Sequence, residues 1–473
     1  MASPAQIQRE RFRVKIVLIA MQAVLVLLVI ALWRLQVSQG ARYESHLRTQ
    51  SLRRVRMPAP RGRIFDRNGI CLADNRASYC VAVNLEQVRQ HGKLQRTVTH
   101  TMELLRALSG VIGRPVTISE EDIWKHVHRR LPLPLVAWRD VDADVMARLA
   151  ERGHLFPGVE IVVEQARVYP NGKLAAHLLG YVGSASGAVN DEDEEPYHYH
   201  MPELEGRRGL ELKFNNLLTG AAGSRLVRID VTGFKRAAIL DREAHPGLDL
   251  LLALDIRIQR LAEQALGDEP GAVVVLDTIA GEVLAMASAP AFDPNGFMPF
   301  KPTAEWSRLI NDPAHPLINR VTGAIYPPGS VFKPIVALAA LENGSITEHT
   351  SFPCPGYFQL GPVKFACWNR DGHGSLSMRK GIEQSCNAYF CALGYRIGMG
   401  PIHRRAQEAG YGRVTGIECD YEVAGILPDD AWKRRVMRDA WRPGDTCNVS
   451  IGQGALAVTP IQVAVMTAAL ASE

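Results

Sequence analysis

Ser330 and Lys333 stand three residues apart, directly behind the run Tyr326-Pro327-Pro328-Gly329. Two prolines and a glycine cannot continue a preceding helix and favour an extended entry. The run therefore predicts a helix start with Ser330 as N-cap and Pro334 in the first turn, where its missing N–H costs little. Residues i and i+3 share a helix face. The hydroxyl can then hydrogen-bond the amine, which must be neutral to accept its proton, and the helix N-terminus favours negative charge developing nearby. That chemistry is nucleophilic catalysis by an activated serine. Spacing alone does not establish it, because Ser-x-x-Lys also occurs on capped surface helices. A second set, Ser385-Cys386-Asn387, follows downstream. In extended or turn geometry Ser385 and Asn387 point the same way, so Ser385 can relay a proton to a leaving amine while the Asn387 amide holds a substrate backbone. The plain alternative is a polar turn.

Cys354, Cys367, His373 and Cys386 form a C-x12-C-x5-H-x12-C series. Three thiols and an imidazole are a donor set for tetrahedral zinc. The stretch joining them is rich in Gly and Pro with little core-forming pattern, so a structural metal can do there what packing cannot. If Ser385 and Asn387 face a cleft, the Cys386 thiolate points behind it, where zinc would fix the turn. The long spacers lack the tight C-x-x-C knuckle and Cys391 offers another partner, so disulfides and buried free thiols stand as alternatives. Cys71 and Cys80 flank Asp74-Asn75-Arg76-Ala77-Ser78, which reads as a hairpin turn that permits a cross-strand disulfide. For Cys419 and Cys447 the sequence offers no account.

The elements that must position these groups belong to a multi-domain chain: 473 residues at 47% hydrophobic suffice for two or three cores. The net charge of +5 is spread along the chain, with no basic stripe interleaved with aromatics, which argues against a nucleic-acid partner. Ile16 to Trp33 is an apolar run interrupted only by Gln22, long enough to cross a bilayer. Arg9, Arg11, Arg13 and Lys15 precede it, so the positive-inside rule puts residues 1–15 in the cytoplasm and everything after Trp33 outside. A cleaved signal peptide is the rival, disfavoured by the length of the run and the lack of a nearby A-x-A site. From Gln36 to about Leu240 short β-type runs alternate with amphipathic stretches and charged loops such as Asp191 to Glu195. Beyond Leu248, the pattern predicts a strand at Leu250 to Leu254 and a helix at Ile256 to Leu266. A hairpin of Ala272 to Leu276 and Val283 to Ala287 follows, turning at Ile279-Ala280-Gly281. Helices are expected at Val331 to Leu341 and Met378 to Ile397, and Thr459-Pro460 opens a last helix that runs to Glu473 without a stop signal. Pattern alone yields a mixed α and β class.

Longer runs carry a resemblance: Pro60-Arg61-Gly62-Arg63-Ile64-Phe65-Asp66-Arg67-Asn68-Gly69, Tyr169-Pro170 with His177 to Gly183, Gly209-Leu210-Glu211, and Leu254 to Gln259. Gly271 to Asp277, Asn319-Arg320, Ile451-Gly452-Gln453-Gly454 and Thr459 to Gln462 continue it. With S-x-x-K and S-x-N in order, the chain resembles the class B penicillin-binding proteins, in particular the elongation-type transpeptidases of the penicillin-binding protein 2 group. The resemblance implies an α+β multi-domain fold. A single transmembrane helix (16–33) would be followed by an elongated pedestal domain (36–245) and a transpeptidase domain of helices packed on an antiparallel sheet (246–473). Arg61, Arg63 and Asp66 would be structural ion pairs of the pedestal. The family's third motif, Lys-Thr-Gly, is not in this sequence, so the chain reads as truncated at its C-terminus.

The implied function is peptidoglycan cross-linking in an inner membrane, with the bulk of the chain periplasmic. Ser330 attacks the carbonyl between the two D-alanines of a stem peptide, releases D-alanine and passes the acyl group to a neighbouring amine. Lys333 is the base, Ser385 the proton shuttle, Asn387 the clamp and the Ser330 N–H half of an oxyanion hole. β-Lactams would be trapped as esters. The implied partners are stem peptides ending in D-Ala-D-Ala, a membrane glycosyltransferase of the shape, elongation and division family, and cell-shape scaffold proteins. Some relatives bind zinc at the corresponding loop, with carboxylates replacing one or two thiols. The alternatives are a D,D-carboxypeptidase, a β-lactamase or β-lactam sensor, and a catalytically idle scaffold.

Overall fold

The computed structural model describes residues 4–39, 52–85, 87–128, 133–185, 199–229, 235–297 and 304–472, so the charged run Asp191 to Glu195 lies outside it. Helix α1 (Pro4–Trp33) contains most of an apolar span, Lys15–Ser38, of mean hydropathy 2.9, none of it buried against the rest of the chain. Its 24 residues are enough for a hydrocarbon core of about 30 Å. This helix fits a single-pass membrane anchor.

Two sheets build the next part. Strand β1 (Leu52–Met57) pairs in parallel with the short strand Tyr199–His200. On its other side it is antiparallel to β6 (Gly223–Ile229), which pairs with β7 (Lys235–Arg242). In the second sheet β2 (Ile64–Phe65) and β4 (Leu135–Trp138) flank β3 (Cys71–Val83), and β5 (Val159–Val168) pairs with β3 from Asp74↔Val168 to Val83↔Val159. Helix α2 (Leu94–Ile112) covers part of this layer with Val98, Leu105 and Leu108. Its stripe recurs every three to four residues, as an amphipathic helix requires.

The strand β3 corrects the hairpin expected at Asp74 to Ser78. The chain runs straight through, so Cys71 and Cys80 lie nine residues apart on one strand, roughly 30 Å at the usual rise, and cannot bond each other. The polar residues of the supposed turn instead find distant partners. Asn75 donates to the Arg61 carbonyl, Arg76 pairs with Asp140, and Ser78 also donates to Asp140. Long-range pairing with β5 overrides local turn preference.

Of the three polar residues assigned to ion pairs, two make them. Arg61 Nε meets Glu211 Oε2 at 2.6 Å, deeply buried, where Arg167 Nε also reaches Oε1 of the same carboxylate at 2.7 Å. Glu211 comes from α3 (Gly209–Lys213). Arg63 pairs with Asp249 on the surface. Asp66 makes no ion pair among the described residues. Its carboxylate accepts from the backbone N–H groups of Asn68, Ile70 and Ile256, tying a turn to the start of α4 (Ile256–Leu266).

Helix α4 matches the expected bounds, while the strand before it is only Leu250–Leu251. The hairpin is present as β8 (Gly271–Leu276) and β9 (Val283–Ala289), antiparallel with Val273 opposite Ala287. Asp277 Oδ1 accepts from Ile279 and Ala280 N–H and closes the turn. α5 (Arg320–Gly323) packs against this ribbon. Helix α6 (Lys333–Glu342) is apolar nearly all round and buries Ile335, Val336, Ala337, Ala339 and Ala340, the mark of a helix at the centre of a domain. The continuous helix expected from Met378 to Ile397 is two pieces, Met378–Glu383 and α7 (Asn387–Ile397), broken where Ser385 takes a φ of +48°. A residue with a Cβ in the left-handed region cannot propagate a right-handed helix. Later helices of this layer include α8 (Pro443–Ser450) and α9 (Pro460–Ala471), the latter opened by a reciprocal Thr459/Gln462 capping box.

Candidate active site

The segment entering the turn that carries Ser330 is held from outside. Tyr326 and Val458 exchange both backbone hydrogen bonds at 2.9 Å, and the Gly329 N–H donates to the Gly452 carbonyl at 2.9 Å. Gly329 has φ +60°, and the chain then makes a single 3-10 turn, Gly329–Phe332, that continues into α6 with Pro334 at its second position. Ser330 is therefore inside the turn and not the N-cap; its side chain caps nothing. Its hydroxyl is engaged instead by Lys333 and Ser385.

Gly452 matters for the same geometry. Its φ is +73°, and a Cβ placed on it would lie 1.9 Å from the Gly329 carbonyl oxygen. Only glycine lets the two backbones approach this closely. The run Ile451 to Gly454 was visible in the sequence, but nothing local tied it to Ser330, 122 positions earlier.

Ser330 is exposed, whereas Lys333 is only 2% exposed. The Lys333 amine lies 3.2 Å from Ser330 Oγ, 3.0 Å from Ser385 Oγ, 2.8 Å from the Ser385 carbonyl and 2.8 Å from Asn387 Oδ1. Ser385 Oγ and Ser330 Oγ are 2.8 Å apart. Four oxygens surround a nitrogen that has three protons when charged and two when neutral. The three shorter contacts match the three protons of a charged amine, and Ser330 Oγ is the fourth and longest, the oxygen that the nitrogen's lone pair would face once a proton is lost. Burial lowers the Lys333 pKa below the ordinary lysine value, in the direction that such a loss needs. All four residues singled out from the sequence thus meet at one point. Asn387 Oδ1 faces the lysine, and its Nδ2 makes a long contact of 3.4 Å to the Ala366 carbonyl.

Behind this turn lies the cysteine cluster. Cys354 ends the strand Phe352–Cys354, opposite Gly374, and Cys367 follows the hairpin of Tyr357–Leu360 and Val363–Ala366. Cys386 caps α7, its Sγ accepting from the Tyr389 N–H at 3.4 Å. One donor atom from each of Cys354, Cys367, His373 and Cys386 lies within 4.8 Å of the others. His373 Nδ1 faces Cys354 and Cys367 Sγ at 3.5 and 3.6 Å, and the Sγ atoms of Cys367 and Cys386 are 3.9 Å apart. Zinc with bonds of about 2.3 Å to sulfur sets its donors roughly 3.8 Å apart, so the set fits with little contraction. Burial, with the neighbouring Cys354 and Cys367, pushes the Cys386 thiol up to about 12. Several thiolates cannot share this space without a cation to neutralise them. Cys391, the alternative partner for these thiols, sits elsewhere, against Cys447.

Residues 271–473 match the penicillin binding protein transpeptidase domain, and residues 56–252 match the penicillin-binding protein dimerisation domain. The chain is 32% identical over 445 residues to the peptidoglycan D,D-transpeptidase MrdA of Escherichia coli K12, covering 92% of this chain and 68% of that protein. It spans about two thirds of the length of the curated relatives it matches. Among solved structures it is similar to the complex between penicillin-binding protein PBP2 and MreC from Helicobacter pylori. The TM-score is 0.74 at 31% identity, covering 87% of this chain and 76% of that one. A structure described as a peptidoglycan synthase complex coordinating polymerization and crosslinking matches with a TM-score of 0.67 at 32% identity, covering 97% and 77%.

Proposed function

Because this chain belongs to the penicillin-binding proteins and carries both their dimerisation and their transpeptidase domain, we propose that it is a serine D,D-transpeptidase that cross-links peptidoglycan stem peptides. The observation that carries the reading is the triangle of Ser330 Oγ, Lys333 Nζ and Ser385 Oγ, with every side between 2.8 and 3.2 Å. Lys333 takes the Ser330 proton as the hydroxyl attacks the carbonyl between the two terminal D-alanines. The C–N bond breaks, and Ser385 passes a proton to the departing amine. An amine from a neighbouring stem then attacks the ester and regenerates Ser330. Asn387 orients the lysine and the substrate backbone, and the Ser330 N–H stabilises the developing oxyanion. β-Lactams resemble the D-Ala-D-Ala end and acylate the same oxygen.

In this reading residues 1–15 lie in the cytoplasm, residues 16–33 of α1 cross the inner membrane, and the rest is periplasmic, supported by the Arg9 to Lys15 cluster before the apolar span. The dimerisation domain serves as a surface for partners: a cell-shape scaffold protein of the MreC kind and a membrane glycosyltransferase. Support comes from the complexes in which its structural relatives were solved. Cys354, Cys367, His373 and Cys386 would hold one structural zinc ion. A closed four-ligand site contributes folding energy and leaves no position for substrate. Through Cys386 it would fix the turn that carries Ser385 and Asn387.

A fluorescent penicillin tests the catalytic assignment. The adduct should map to Ser330 and vanish in Ser330→Ala; undiminished labelling of that variant overturns it. Elemental analysis of protein purified without added metal tests the zinc site: close to one equivalent is expected, and less than about a tenth refutes it.

A further inference from the structure

Outside the four-donor cluster, Cys391 and Cys447 face each other in the core of the transpeptidase domain. Cys391 lies on α7 and Cys447 on α8, both with no exposed surface, in the core that also holds Phe332 and Tyr389. Each sulfur rests on the other residue's backbone. Cys391 Sγ is 3.6 Å from the Cys447 carbonyl oxygen, and Cys447 Sγ is 3.8 Å from that of Cys391. Both are free thiols on helices that pack against each other, so rotation of the two side chains is the movement a bond between the sulfurs would need.

We propose that Cys391 and Cys447 form a disulfide that staples α7 to α8. Its place gives it a purpose. Helix α7 begins with Asn387, beside the lysine, and α8 leads directly into Gly452, whose carbonyl holds the N–H next to Ser330. The bond joins the two elements that flank the nucleophile across a separation of 56 residues. A crosslink closing so long a loop removes much of the unfolded chain's freedom. The chemistry is thiol–disulfide exchange. One thiolate attacks a disulfide of the oxidant, protein or small molecule, and expels one thiol. The second cysteine displaces that mixed disulfide and expels the other. Two electrons pass to the oxidant and its disulfide becomes two thiols. Since both sulfurs are buried, the bond forms during folding, before the core closes.

The proposal rests on the reading that this domain lies outside the cytoplasm, and the test separates the two. The full chain is produced in its membrane with alkaline phosphatase fused at the C-terminus, quenched in acid, alkylated under denaturing conditions and mapped by mass spectrometry. A linked peptide pair containing Cys391 and Cys447 is expected, with phosphatase activity reporting export. Both cysteines alkylated in an exported chain overturn the disulfide. If the fusion is inactive, the location reading fails. The purified protein refolded with glutathione disulfide then decides the pairing by the same map, a missing link again overturning it. Reduction should lower the melting temperature by on the order of 10 °C, a shift absent from the Cys391→Ser, Cys447→Ser double variant.

Discussion

If Ser330 is the acylated residue, replacing Gly452 by alanine should slow acylation without touching it. The added Cβ would stand 1.9 Å from the Gly329 carbonyl oxygen, whereas real Cβ atoms essentially never come within 3.0 Å of such an atom. The two backbones must therefore separate by about 1 Å. The hydrogen bond from Gly329 N–H to the Gly452 carbonyl lies in the same contact and breaks or lengthens with it. Ser330 is the next residue, and its 2.8 Å and 3.2 Å distances to Ser385 and Lys333 leave no slack of that size. A misplacement of about 1 Å costs on the order of 100-fold in rate, or about 2.7 kcal/mol of barrier. The assay is the second-order rate of acylation by a fluorescent penicillin, measured well below the melting temperature. Gly361→Ala is the control: Gly361 has φ +56° and nothing within 4 Å of the added Cβ, so it carries the same left-handed strain without the collision. It should lose some stability and little rate. Acylation of Gly452→Ala within about threefold of the parent would refute the argument that this contact sets Ser330.

Other outcomes follow from the same distances and burials. Acylation should rise with pH as Lys333 loses its proton, with a midpoint below the ordinary lysine value because burial lowers its pKa, and Lys333→Ala should abolish it; a pH-independent rate between pH 6 and 9 counts against the lysine as base. His177 is buried against Phe292 with Nε2 2.7 Å from the Pro316 carbonyl, and desolvation lowers its pKa to about 4. Its folded pKa is below the unfolded one, so its contribution is present above pH 6.5 and is lost as pH falls toward 4, about 3 kcal/mol in all. His177→Phe should flatten that part of a plot of melting temperature against pH, and an unchanged slope rejects the assignment. Glu211→Gln leaves Arg61 and Arg167 buried without a countercharge, and urea denaturation should register a loss of about 3–5 kcal/mol; a loss under about 1 kcal/mol would mean that the guanidinium groups find other partners.

What the sequence by itself determined is local. Ser330 and Lys333 share a face because one helical turn separates them, and the Pro-Pro-Gly run marks where that turn begins. The apolar span of α1, the bounds of α4, the β8–β9 hairpin and the Thr459 cap are likewise written in a few adjacent residues. The tertiary structure decided whatever depends on a partner far along the chain. Asp74 to Ser78 looks like a turn until β5 pairs with it, and Met378 to Ile397 looks like one helix until the packing around Lys333 puts Ser385 at φ +48°. Cys391 and Cys447, 56 residues apart, carry no mark of each other in the sequence. Gly452 is one of 40 glycines, and only the approach of Gly329 reveals why a side chain there would be costly. The physical reason is common to all of these: propensity acts over a turn or a strand, whereas close packing couples backbones whose sequence separation leaves no periodic trace.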